Sequence, residues 1–158
     1  MPARDYAEKK RSSDSKHYEN IVVLALELPD GSIVTGRSSR RMVASAAAIL
    51  NAVKKLSGIN DAIHLISPQV LSDIQAFKVE VLQKDRTSLN CEEILNSLTI
   101  SAATNPSAQA AVANLTKLRG CKAHCTAILS DRDEQTLRGL GIDVTCDPEY
   151  ITTNLYFG

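Results

Sequence analysis

The sequence predicts an α/β protein, a three-layer α-β-α sandwich around a mixed sheet. Three observations lead there. Short β-branched runs at Ile21–Leu28, Ala62–Ile66 and Cys121–Leu129 alternate with segments of helical period. The turn Pro29-Asp30-Gly31 separates two apolar runs and predicts a hairpin. The chain has 158 residues, 44% hydrophobic and 23% charged, enough for one domain that buries roughly 68–70% of its unfolded surface.

Residues 1–20 alternate in charge and carry Ser12, Ser13 and Ser15, which predicts a short helical end near Tyr6–Lys10 followed by a linker. Residues 21–158 form the α/β domain. Ile21–Leu28 and Ser32–Thr35 are the two hairpin strands, closed by Gly36. Met42–Leu56 is the strongest helix: Met42, Ala46, Ile49, Val53 and Leu56 repeat at spacings of four and three, and Gly58 ends it. Ala62–Ile66 reads as a buried strand. Ser67-Pro68 then caps a helix whose inward face is Val70, Leu71, Ile74, Phe77 and Val81.

Asn90 with Glu93 forms a capping box for a helix to Thr104. Asn105-Pro106 restarts a helix that runs to Gly120. Cys121–Leu129 is a strand, Ser130 caps a helix to Leu140, and Ile142–Cys146 is the last strand.

Composition excludes several classes. With 18 basic and 18 acidic side chains there is no broad basic field for nucleic acid or anionic lipid. Phe77 alone among aromatics falls between residues 19 and 149, so base-stacking platforms are missing too. The stretch Ile94–Thr116 is uncharged but too polar for lipid. The expectation is a soluble cytoplasmic protein without nucleic-acid or membrane partners. Cys91, Cys121, Cys125 and Cys146 read as buried thiols. Cys121, His124 and Cys125 cannot share a metal, because strand residues alternate faces. No metal or cofactor is expected, and His64, within Ile63-His64-Leu65-Ile66, reads as a hydrogen-bonded core residue.

The segment Thr35-Gly36-Arg37-Ser38-Ser39-Arg40-Arg41 is the candidate anion site. It leads into a helix N-terminus, where free amides and the dipole favour an anion, and Gly36 permits close backbone approach. Thr35, Gly36, Arg37, Ser38 and Ser39 are its residues, and Ser67 at the next helix start can share the crevice. No catalytic residue is assigned.

Several blocks together resemble a known family. They are Leu26 to Gly36, Ser45-Ala46-Ala47, Leu50-Asn51-Ala52, His64 to Pro68, Ser101 to Pro106, Leu118 to Cys121 and Leu140 to Cys146. They resemble the C-terminal domain of a bacterial family known as a domain of unknown function. The likeness covers Ala25 to the end and, more loosely, Pro2–Lys10. It implies that the chain corresponds to one part of a longer protein with a P-loop-like segment in its N-terminal part. The order of elements also resembles the cytidine-deaminase-like topology, but without the H-x-E and P-C-x-x-C zinc motifs: the helix starts read Ser38-Ser39-Arg40-Arg41 and Ser67-Pro68-Gln69-Val70.

Two roles follow as expectations. The first is a non-catalytic assembly or docking domain of a larger nucleotide-binding protein. Its partners are the family's N-terminal domains, or a separately encoded counterpart, and a second copy of itself. The alanine-rich faces of Met42–Leu56 and Ala102–Ala113 suggest it. The alternative is the phosphate-binding half of an active site that the N-terminal domains complete.

Overall fold

The computed structural model describes residues 21–148. The expected N-terminal helical end and linker lie outside them. Strands β1 (Val23–Glu27) and β2 (Ile33–Arg37) form the hairpin. Its turn is fixed by Asp30, whose Oδ1 accepts from the Ser32 amide at 2.9 Å, and by Gly31 at φ 85°. Helices α1 (Ala44–Ser57), α2 (Pro68–Glu80), α3 (Cys91–Ser101) and α4 (Pro106–Ala113) follow. A 3-10 turn at Leu115–Leu118, strand β3 (Lys122–Cys125), helix α5 (Asp131–Gly139) and strand β4 (Asp143–Cys146) complete the order.

The sheet runs β2-β1-β3-β4, with β1 antiparallel to both neighbours and β3 parallel to β4. The α/β class and the mixed sheet are therefore as expected. Leu24, Leu26 and Leu28 face one side and join Ala46, Ala48, Ile49, Leu71, Ile94, Leu98, Ala111 and Leu137 in a single core. Every described helix contributes to that core. Val23 and Ala25 form a separate small cluster on the other side with Ile21. Among the described residues the helices thus gather on one face of the sheet. The three-layer expectation is met for two layers, and the finer deaminase-like topology is not established.

Ala62–Ile66 is not a strand. The Asn60 side chain accepts from the Ala62 amide at 2.8 Å, and the Asn60 carbonyl accepts from Ile63, which bends the chain before any ladder can form. Leu65 and Ile66 still enter the core, whereas Ile63 is exposed.

The capping box is present: Asn90 Oδ1 accepts from the Glu93 amide and Glu93 Oε1 from the Asn90 amide, both at 2.8 Å. Asn105 and Ser130 also cap their helices. The α4 helix stops at Ala113, short of Gly120.

The alanine faces pack within the domain. Ala46, Ala48 and Ala52 of α1 and Ala108 and Ala111 of α4 are all fully buried, and these two helices touch each other. Ala103, Ala110 and Ala113 stay exposed. Gly36 has a related purpose: a Cβ there would overlap the Ala48 amide and lie 2.6 Å from the Ala44 carbonyl, so α1 rests directly on β2.

Candidate functional site

A cavity of about 470 Å³ opens beside the β2 edge of the sheet. Four segments line it. The strand contributes Thr35, Gly36 and Arg37, the following turn Ser39, Arg41 and Met42, and α1 the face Ala47, Leu50, Asn51 and Lys54. These α1 residues fall at i, i+3, i+4 and i+7, one flank of a helix whose other flank is in the core. His64, Leu65, Ile66 and Leu71 close the far side.

The hairpin register explains what β2 offers. Ser38 donates its amide to the Val22 carbonyl, and Leu28 donates to Ser32, so even-numbered residues of the hairpin exchange hydrogen bonds. The main-chain groups of Thr35 and Arg37 consequently point away from β1, along the open edge. Asn51 Nδ2 donates to the Thr35 carbonyl at 2.8 Å and occupies that acceptor. The Thr35 and Arg37 N–H groups remain at the edge as donors, beside the Arg37 carbonyl.

The charge matches. Arg37, Arg41 and Lys54 are cationic, and no carboxylate side chain lines the cavity among the described residues. Neither guanidinium has a side-chain partner among the described residues. Lys54 Nζ donates to the Asp61 carbonyl at 3.0 Å, which pins its stem across the rim. Met42, Leu50, Leu65, Ile66 and Leu71 add apolar wall. The arrangement can hold an anionic head on donors and an apolar body against the floor.

The predicted residues divide. Thr35, Gly36, Arg37 and Ser39 line the cavity; Ser38 and Ser67 do not. Ser38 Oγ accepts from the Val22 amide at 2.9 Å and stitches the hairpin. Ser67 Oγ accepts from the Gln69 amide at 3.2 Å as the α2 cap. Ser39 Oγ accepts from the Arg41 amide at 3.2 Å and holds the turn, without capping α1. Helix α1 starts later, at Ala44, with Val43 as an N-cap that has no side-chain bond. The cavity therefore lies along the flank of α1 and not at its N-terminus. Gly36 gives its close approach to α1 instead of to a ligand.

Sequence reading missed Asn51, Lys54 and His64 as lining residues. His64 is exposed at the rim and is not the core residue expected. The available signal was the polar pair Asn51 and Lys54 on one flank of an alanine-rich helix.

The cysteines behave structurally. Cys91, Cys121 and Cys125 are buried and Cys146 is half-buried. Burial, assisted by the Asp133 carboxylate, pushes the Cys91 thiol up to about 12, and burial pushes Cys125 to about 12 as well. Cys121 and Cys125 point into the core, and His124 points to the opposite face. There its Nδ1 lies 2.7 Å from Thr145 Oγ1 and its Nε2 3.2 Å from an Asp147 carboxylate oxygen. Among the described residues no group of three or more His, Cys, Asp or Glu side chains is placed to hold a metal ion, and no helix is long and apolar enough to cross a membrane.

Comparison with known proteins places the chain. Residues 1–156 match the family model described as "Domain of unknown function DUF1846, C-terminal". The chain is 56% identical to a UPF0371 protein of Clostridium botulinum (strain ATCC 19397 / Type A) over 157 residues, which are 99% of this chain and 31% of that protein. It is 54% identical to the UPF0371 protein of Clostridium tetani and 50% identical to that of Clostridioides difficile, each over 99% of this chain and 31% of the relative. The chain thus spans under a third of the length of the curated relatives it matches. With its mixed-sheet α/β fold and its match along almost the whole length, the chain belongs to the DUF1846 C-terminal domain family.

Proposed function

We propose that this domain forms the phosphate-binding wall of a site that the rest of the longer protein completes. The observation that carries the reading is the cavity of about 470 Å³, where Arg37, Arg41 and Lys54 join outward edge amides with no carboxylate among the described lining residues. Arginine forks and main-chain N–H groups are the donors that suit phosphate oxygens. The volume lies in the range of small-molecule sites, roughly 300–1,000 Å³, and exceeds what bare phosphate fills. A phosphate ester whose organic part rests on Met42, Leu50 and Leu65 is the ligand class that uses the whole wall.

The wall binds and orients; it carries no nucleophile paired with a base. The domain alone is accordingly read as non-catalytic, and any reaction belongs to groups contributed by the remaining two thirds of the protein. The docking role expected from the sequence keeps the exposed Ala103, Ala110 and Ala113 and gains the outward side chains of α2.

Titration calorimetry of the isolated chain with inorganic phosphate, pyrophosphate and a sugar phosphate tests the reading. Half a site should bind near 1 mM, about −4.1 kcal/mol, with the ester tighter than phosphate and with heat lost in the Arg37→Ala, Arg41→Ala double variant. No saturable heat with any of the three would overturn it.

A further inference from the structure

Val70, Ile74, Phe77 and Val81 recur at spacings of four, three and four, the pattern of a helix face that is to be covered. The structure turns most of that stripe outward. Val70 is 39% exposed, Phe77 49% and Val81 63%, and Leu82 after them is 49% exposed. Inward-facing instead are Leu71 and Lys78. The Lys78 ammonium donates to the Ser88 carbonyl at 2.8 Å and to Glu93 at 3.0 Å, and Gln75 Nε2 donates to the Arg40 carbonyl at 2.7 Å. The helix is thus held by Leu71, Ile74 and these polar ties, and keeps Val70, Phe77 and Val81 exposed. The sequence expectation that Val70, Phe77 and Val81 face the core is corrected here.

We propose that this outer face of α2 is the docking surface for the part of the longer protein that precedes the domain. The inference stands on α2 and does not depend on the cavity binding phosphate. Val70, Phe77 and Val81, with Leu82 after them, present roughly 350 Å² of apolar surface, the size of the largest patch on an ordinary monomer, which is often functional. A stable interface between separate chains takes about 800 Å² from each partner, so this patch alone is too small to hold two free copies together. A covalently joined partner needs less, because its effective concentration is in the millimolar range. The relatives supply such a partner: 69% of the C. botulinum protein lies outside the matched region, taking the 31% matched from the whole.

Hydrogen exchange measured on this chain and on the full-length C. botulinum relative tests the proposal with two intact proteins. The α2 amides, compared with those of α1 in the same protein, should exchange at least about tenfold more slowly in the full-length protein. Equal relative rates would overturn it. Protection of α2 in the isolated chain that grows with its concentration would overturn it too, since a second copy would then be the occupant.

Discussion

Helices α1 and α2 flank the same cavity and are almost equal in length, 14 and 13 residues, yet they are attached in opposite ways. Helix α1 buries Ala44, Ser45, Ala46, Ala48, Ile49, Ala52 and Val53; α2 buries only Leu71 and Lys78. Small side chains bring the α1 backbone against the glycine of β2, and that close seating fixes the flank carrying Asn51 and Lys54. Helix α2 has Val70, Phe77 and Val79 outside and Lys78 inside. One helix is the foundation of the site and the other is the part left for something else to cover.

The largest effect should follow from prising α1 off the sheet. Gly36→Ala puts a methyl group into the α1 backbone, and neither main chain can yield by a rotamer change. Urea unfolding should show a loss of about 3 kcal/mol or more. A variant within 1 kcal/mol of the parent, on the order of ordinary surface changes, would mean that α1 is not seated on Gly36.

The next effect belongs to α3, which packs beside α1. Its first amide, Cys91 N, donates to the buried Asp133 carboxylate of α5 at 2.9 Å. Asp133→Ala leaves that donor unpaired and should cost about 2 kcal/mol, read from the same denaturation midpoint. Lys78→Met removes the ties to Ser88 and Glu93 while keeping the stem. The pair is partly open to solvent, with Glu93 28% exposed, so the loss should be smaller, about 1 kcal/mol. A gain on that substitution would show that α2 is held by packing after all. Phe77→Ser should be nearly silent in the isolated chain, within about 0.5 kcal/mol. A loss of 2 kcal/mol or more would place Phe77 in the core and remove the contrast between the helices.

The same contrast explains what was legible in the sequence. Helix α1 and the capped starts of α3, α4 and α5 are written in local periodicity and in Asn90, Glu93, Asn105 and Ser130, whose bonds span only a few residues. The orientation of α2 is not, because Lys78 faces inward only for Glu93 and Ser88, which arrive from a later segment. Ala62–Ile66 has strand-like composition, but Asn60 bends its entry. The cavity was half legible. Thr35, Arg37 and Ser39 stand in one short run, whereas Asn51, Lys54 and His64 reach the site only through tertiary packing. Gly36 was a true signal with a different cause, since it makes room for a helix.

The most direct test of the phosphate wall is thermal unfolding of the parent chain and the Arg37→Ala variant, each with and without phosphate at a hundredfold excess over its Kd. Binding to the folded state alone should stabilise the parent by about 2.7 kcal/mol, an upward shift in Tm of about 5–10 °C for a domain of this size. Arg37→Ala should lose most of that shift while unfolding at the parent temperature in phosphate-free buffer. Equal shifts in both proteins would be the general stabilisation that phosphate gives by exclusion from protein surfaces, and would contradict the assignment of this cavity to an anion.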